Sequence, residues 1–219
     1  MTLDSASRLA EIRNGIAEAC KVARRKAEDV TLIAVTKGRS ADQIEPLLKA
    51  GQRDFGESRV QEARAKWHAL RLRYPDVLLH MIGQLQSNKA DEAVALFDVI
   101  HSLDRPSLLA ALVKAGEKAG RFPPVYVQVN IGAEDQKGGV AVAELGPFLD
   151  EVCASPLPLA GLMCIPPDEQ QPDPYFALLA ELARRHDVTG LSMGMSSDYK
   201  VAVSLGATAV RVGSALFEA

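Results

Sequence analysis

Lys37 comes directly after a run of mostly apolar and β-branched residues, Val30 to Val35. A run of this kind is typical of a parallel strand that is buried on both faces. A lysine at the end of such a strand can place its amine where it forms a Schiff base with an aldehyde. The alternative is a solvated loop lysine, and the residues that follow the other strands bear on that choice.

Two segments near the end of the chain combine glycine with hydroxyl side chains, namely Gly194 to Asp198 and Arg211 to Ser214. Backbone N–H groups at the start of a helix attract anions, and glycine lets an anion come close to the backbone. The sequence therefore predicts phosphate binding at these two segments, with Gly213 and Ser214 as the candidate residues of the second. For the first segment the alternative is simple capping of the following helix by Ser196 or Ser197, and it is compatible with anion binding because both use the same N–H groups.

The histidines and cysteines point to no metal chemistry. The four histidines are scattered, and the three cysteines, Cys20, Cys153 and Cys164, form no Cys-x-x-Cys pair. Neither set has the spacing of metal ligands, so we expect no metal site and reduced thiols. His80 lies inside a predicted strand and is interpreted as a hydrogen-bonded core histidine.

Strands and helices alternate along the whole sequence. The predicted strands are Val30–Val35, Arg53–Phe55, Leu78–Ile82, Val99–Ser102, Pro124–Asn130, Leu159–Cys164, Gly190–Met193 and Ala209–Val212. The predicted helices cover about 4–27, 41–50, 58–73, 87–96, 105–119, 140–154, 173–186 and 196–205. Eight parallel strands separated by helices predict an α/β fold, a single (β/α)8 TIM-like barrel over residues 1–219. Few residues follow the last strand, so the N-terminal helix is expected to complete the outer ring.

Composition and charge exclude several classes of function. The net charge is −3 with a pI near 5.8, and aromatic residues make up only 5%. A nucleic-acid-binding protein would usually show a basic footprint or a stacking platform, so no nucleic-acid partner is expected. The apolar runs are far shorter than the ~20 residues of a membrane span, and the N-terminus lacks the apolar core of a signal peptide. These features favour a cytoplasmic protein that does not contact membranes.

Seven segments, in order across nearly the whole chain, resemble the pyridoxal-phosphate homeostasis proteins of the YggS/PROSC type, which share the barrel fold of alanine racemase. The segments are Ala34–Lys37, Phe55–Glu62, His80–Lys89, Gln128–Ile131, Gly161–Pro166, Leu191–Asp198 and Arg211–Phe217.

The resemblance implies a role for each candidate residue toward pyridoxal 5′-phosphate (PLP). Lys37 would carry the Schiff base, while Ser196, Gly213 and Ser214 would hold the phosphate and Arg211 would face the pyridine nitrogen. Ser58 stands where the family usually has asparagine, so we expect a shorter side chain without an amide at that contact.

The same resemblance implies intracellular cofactor homeostasis and carriage with little or no catalysis, and hence a protein that is not an enzyme. Arginine only donates hydrogen bonds, so a pyridine nitrogen facing Arg211 must be unprotonated and is a poor electron sink. A monomer that transiently contacts apo PLP enzymes is expected. The alternative is a PLP-dependent amino-acid racemase, and an unrelated sugar-phosphate-binding barrel is a third reading.

Overall fold

The computed structural model describes residues 4–168 and 170–217. Residues 1–3, 169, 218 and 219 lie outside the described ranges, so the assignment of one domain to all of 1–219 stays a prediction.

Nine strands occur in the part of the chain that the structure describes, and all their pairings are parallel. They are β1 (Thr31–Val35), β2 (Asp54–Glu57), β3 (Leu78–Met81), β4 (Val99–Leu103), β5 (Val125–Asn130), β6 (Val140–Ala141), β7 (Leu159–Cys164), β8 (Leu191–Ser192) and β9 (Ala209–Val212). The order β4-β3-β2-β1-β9-β8-β7-β5 closes on itself because β4 also pairs with β5. The predicted eight-stranded barrel is therefore confirmed.

Helices surround this barrel. They are α1 (Ser5–Val22), α2 (Ala41–Lys49), α3 (Val60–Arg73), α4 (Ala90–Leu96), α5 (Pro106–Ala119), α6 (Leu145–Cys153), α7 (Asp173–Arg185), α8 (Tyr199–Ser204) and α9 (Ser214–Phe217). Helix α1 packs against α2 and α8, which fills the gap between the first and last repeats as predicted. Among the described residues, no helix is both long and apolar enough to cross a membrane.

Several helices begin later than the sequence pattern predicted, and at α6 and α8 the cause is a specific hydrogen-bond pairing. Val140 continues as the short strand β6, where it pairs with Val129 of β5, so α6 starts only after a 3₁₀ turn at Val142–Glu144. Before α8, the Asp198 carboxylate accepts a hydrogen bond from the Met195 N–H at 2.5 Å, which closes a turn where a helix was expected. Strand pairing in the first place, and a bond between side chain and backbone in the second, replace the first helical turn.

The interior has two layers of different character. Between the strands and the helices lies a large apolar layer that includes the fully buried side chains of Phe55, Trp67 and Phe97. Inside the barrel, where side chains point alternately inward along each strand, polar residues are buried as well. The polar interior lies below the C-terminal ends of the strands, the usual place of a barrel's active site.

Candidate cofactor-binding site

A cavity of about 540 Å³ opens at the C-terminal ends of the strands. All six predicted site residues line it, and they are Lys37, Ser58, Ser196, Arg211, Gly213 and Ser214. Its apolar walls come from Val35, Ile82 and Ile165. A volume of this size suits a small organic ligand that carries a few polar groups. The structure thus gathers in one place residues that lie up to 177 positions apart in sequence (214 − 37).

Lys37 lies on the loop after β1, at the mouth of the cavity, with an exposed side chain. Within the described residues its ammonium has no hydrogen-bond or ion-pair partner. By contrast the preceding residue, Thr36, is completely buried. The loop therefore anchors its backbone at Thr36 and presents the Lys37 amine to the cavity.

The anchor is a buried carboxylate behind the loop. Glu57 Oε1 accepts hydrogen bonds from Thr36 Oγ1 at 2.6 Å and from Trp67 Nε1 at 2.8 Å. The Lys66 ammonium lies 2.8 Å from the same oxygen and donates to the Thr36 carbonyl at 2.6 Å. Both charged groups are nearly excluded from water, with Glu57 at 0% and Lys66 at 7% side-chain exposure. This Glu57–Lys66 pair fixes the backbone that positions Lys37.

The sequence did not reveal this anchor. Trp67 is fully buried, as expected of a packing residue, but its indole N–H also binds Glu57. The available signal was a glutamate at an outward-facing strand position, where an isolated charge would be costly without a partner.

The two glycine and serine segments meet on the opposite side of the cavity. Ser196 Oγ accepts hydrogen bonds from the N–H groups of Gly213 at 3.2 Å and Ala215 at 3.3 Å. The Ser196 hydroxyl proton is thereby left to donate toward the cavity. A Cβ at Gly213 would lie 3.3 Å from Val35 Cβ, so a larger residue there would press on β1. Ser196 thus binds the start of α9. The predicted capping of the helix that follows it is wrong, because Asp198 is the N-cap of α8 and makes no side-chain cap bond. The geometry still suits anion binding.

Arg211 forms the floor of the cavity and is only 4% exposed. Its Nη1 donates to Ser192 Oγ at 2.7 Å and its Nη2 donates to the Cys164 carbonyl at 2.9 Å. Burial lowers the pKa of Arg211, while the pKa of the neighbouring Cys164 thiol is raised to about 12, also by burial. The thiol is therefore protonated and uncharged at neutral pH, and the guanidinium is held rigidly by two acceptors.

Below Arg211, a line of polar side chains crosses the barrel. Ser192 Oγ lies 2.9 Å from His101 Nδ1, His101 Nε2 lies 3.0 Å from His80 Nδ1, and His80 Nε2 lies 3.0 Å from Asp54 Oδ1. The interpretation of His80 as a hydrogen-bonded core residue is confirmed. Burial lowers the pKa of His101 well below its usual value, and the nearby His80 and Arg211 lower it further.

We searched the described residues, 4–168 and 170–217, for side chains grouped as metal ligands. No group of three or more His, Cys, Asp or Glu side chains there is placed to hold a metal ion.

Known proteins share both the sequence and the fold of this chain. Residues 12–219 match the alanine racemase N-terminal domain family. The pyridoxal phosphate homeostasis protein of Escherichia coli K12 is 36% identical over 99% of this chain and 97% of its own length. The homologue of the same name from Deinococcus radiodurans is 41% identical over 93% and 96%. The chain belongs to the pyridoxal phosphate homeostasis protein family.

A solved structure of this family has a similar fold. PipY of Synechococcus elongatus, with PLP bound, is 38% identical over 98% of this chain and 100% of its own, with a TM-score of 0.86. The resemblance found in the sequence is thus confirmed at the level of family and fold.

Proposed function

We propose that this protein binds PLP at the cavity and acts in intracellular cofactor homeostasis as a carrier rather than as an enzyme. One observation carries the proposal, namely that an unpaired lysine amine, a serine and glycine loop and a buried guanidinium face the same cavity. Family membership and the PLP bound in PipY support it.

The cavity provides a suitable group for each part of the cofactor. Lys37 would hold the cofactor through its amine, as a Schiff base to the aldehyde carbon formed with loss of water. The hydroxyls of Ser196 and Ser214 and the Ser214 N–H would bind the phosphate, and the Gly213 N–H would join them on leaving Ser196 Oγ. Arg211 would donate to the pyridine nitrogen, and Ser58 offers a hydroxyl on the wall near Gly83.

The guanidinium at the floor favours a carrier over a catalyst. Bound PLP supplies electron withdrawal from a substrate carbon, and this withdrawal is strongest when the pyridine nitrogen is protonated. Arg211 has only N–H donors, so it stabilises the unprotonated nitrogen. The racemase alternative remains testable, because alanine racemisation at roughly 1 s⁻¹ or faster by the purified protein would establish it.

The proposed carrier would be a cytoplasmic monomer that releases its cofactor to apo PLP enzymes during transient contact. Transfer to an apoenzyme is measurable as recovery of that enzyme's activity in the presence of a trap for free PLP. If the trap abolished recovery, transfer would occur through solution and the contact part of the proposal would be wrong.

Reduction with borohydride followed by peptide mapping tests the attachment point. We expect absorbance of the Schiff base before reduction, and afterwards a pyridoxyl mass on the peptide that contains Lys37. Labelling mainly at Lys89 or Lys137 would overturn the assignment.

The phosphate assignment has its own test. PLP should bind at least about 10-fold more tightly than pyridoxal, because charge-assisted hydrogen bonds to a dianion are lost without the phosphate. Ser214→Asp should weaken PLP binding by repulsion. Ser204→Asp is the matched control, because Ser204 is equally exposed but lies on α8 outside the cavity, and it should leave binding unchanged. Equal affinities for PLP and pyridoxal would contradict this placement.

A further inference from the structure

The two ends of the polar line through the barrel have fixed roles as donor and acceptor. At the cavity end, Arg211 has only N–H groups, so Ser192 Oγ must accept its hydrogen bond. At the opposite end, Asp54 is partly open to solvent, with 26% of its side chain exposed, and its ionised carboxylate only accepts. His80 Nε2 must therefore carry a proton and donate a hydrogen bond to Asp54.

When His80 carries one proton, these two ends determine every hydrogen bond between them. Since His80 Nε2 is the donor to Asp54, a neutral His80 has an acceptor at Nδ1, and His101 Nε2 must donate to it. His101 Nδ1 is then an acceptor, and the Ser192 hydroxyl proton is free to donate to it while Ser192 Oγ accepts from Arg211. Each donor faces an acceptor, with both histidines neutral and protonated on Nε2.

The opposite direction of these hydrogen bonds leaves one donor without an acceptor. It would require a proton on Asp54 or a second proton on His80, and it would make His101 Nδ1 a donor to Ser192 Oγ. Ser192 Oγ would then accept twice, and its own proton would have no acceptor within the line. Only the first direction gives every donor in the line an acceptor, so it is the stable one.

Packing holds the histidine rings in this arrangement. The His101 ring stacks on Tyr126 with centroids 4.3 Å apart and an angle of 10° between planes. His101 and Ser192 are both 0% exposed, so water cannot replace a missing bond. A buried polar network that is fully satisfied is rigid, whereas a partly satisfied one is costly.

We propose that Asp54, His80, His101 and Ser192 are positioning residues for Arg211, joined in one hydrogen-bond chain of fixed polarity. The chain presents a hydroxyl acceptor to Arg211 and keeps its guanidinium directed at the cavity floor. The part of this inference that concerns cofactor affinity rests on the proposed PLP binding, whereas the polarity of the chain does not.

The first experiment uses the cofactor-free protein. Nitrogen-15 NMR of the four histidine side chains at pH 8 distinguishes N–H on Nε2 from N–H on Nδ1. His68 and His186 are exposed, and their replacement by asparagine leaves only the two buried signals. We expect N–H on Nε2 and a bare Nδ1 at both His80 and His101. A proton on Nδ1 of either residue overturns the proposal, whether or not PLP binds.

The second experiment compares two buried serines. Ser192→Ala removes the acceptor of Arg211, whereas Ser102→Ala removes a hydroxyl that is equally buried but has no partner among the described residues. Ser192→Ala should increase the motion of the Arg211 side chain seen by NMR and weaken PLP binding about 10-fold. Ser102→Ala should change neither, and Ser192→Thr, which restores the hydroxyl, should restore both.

The outcomes separate the two proposals. If Ser192→Ala binds PLP with unchanged affinity and leaves the Arg211 signals unchanged, the positioning role is wrong while PLP binding stands. If the unmodified protein fails to bind PLP, the proposed function is wrong, and the histidine tautomers still decide the polarity of the chain. If Ser192→Ala does not fold, the histidine spectrum of the unmodified protein remains the deciding test.

Discussion

The lysine end and the arginine end of the cavity are built in opposite ways. Lys37 is exposed on a loop and has no partner within the described residues, and only the backbone behind it is fixed, by Glu57 and Lys66. Arg211 is buried on a strand, and its side chain itself is fixed by Ser192 and Cys164. A group that must form and break a covalent bond benefits from freedom, whereas a group that recognises one ring atom benefits from rigidity. The comparison predicts that substitutions at the two ends will fail in different ways.

The largest effect is expected at the free end. Lys37→Ala should abolish the covalent adduct entirely, because no other amine is placed on the cavity wall by the described residues. Its stability should stay within about 0.5 kcal/mol of the unmodified protein, as for exposed residues generally. Mass spectrometry after borohydride reduction and urea unfolding measure the two quantities. A strong loss of stability would show that the Lys37 side chain makes stabilising contacts, and the contrast with Arg211 would be wrong.

The anchor behind Lys37 should behave differently. Glu57→Ala leaves the buried Lys66 ammonium without its carboxylate, and removal of one partner of a buried ion pair costs about 3–5 kcal/mol. Urea unfolding measures this loss. Glu181→Ala is the control, since it removes a partly exposed surface glutamate that pairs with Arg184 and Arg185, and it should leave the unfolding midpoint nearly unchanged. Equal midpoints for the two variants would mean that the anchor contributes nothing.

Most of the fold could be predicted from the sequence because it depends on local patterns. Buried runs such as Val30–Val35 mark the strands, and their number and alternation with helices imply closure. The short strand at Val140–Ala141 was missed because two residues carry no periodic signal. The turn before α8 was missed because it depends on one side-chain bond, from Met195 to Asp198.

The site was predictable where chemistry is local, and not where it depends on strand register. Lys37 and Gly213 follow strands and were identified by type and position. The line from Asp54 to Arg211 draws one residue from each of five strands, and only the parallel register brings them into contact. A polar residue at an inward-facing strand position was the available signal, and single residues of that kind do not reveal their partners.

At the arginine end of the cavity, even a substitution that keeps the positive charge should lower stability and weaken PLP binding. Arg211→Lys replaces a planar guanidinium with several N–H donors by a single ammonium, which cannot reach Ser192, Cys164 and the cavity together. Stability should fall by about 2 kcal/mol and PLP binding should weaken. Arg25→Lys is the matched control, because Arg25 also donates to two carbonyls, those of Val203 and Ala207, but lies outside the cavity. It should lose stability and keep its PLP affinity. If both variants bind PLP equally well, Arg211 serves only packing.

The smallest expected effect is a dependence of stability on pH that comes from the chain below Arg211. Burial holds the pKa of His101 well below 6.5 in the folded protein, whereas the unfolded chain takes up the proton near its ordinary value of about 6.5. Below that pH the unfolded state binds more protons, so the free energy of unfolding should fall as the pH drops, by up to about 1.4 kcal/mol per unit. Urea unfolding at pH 7.5, 6 and 5 measures this slope.

His101→Gln should reduce the slope, whatever its effect on stability at pH 7.5, because the glutamine side chain has no proton to gain. The exposed His68→Gln should retain the slope, since His68 meets water in both states. Identical slopes for His101→Gln and the unmodified protein would mean that His101 takes up its proton as readily in the folded barrel as in the unfolded chain. In that case the neutral chain that holds Arg211 rigid would not survive mild acid, and the contrast between the two ends of the cavity would be confined to neutral pH.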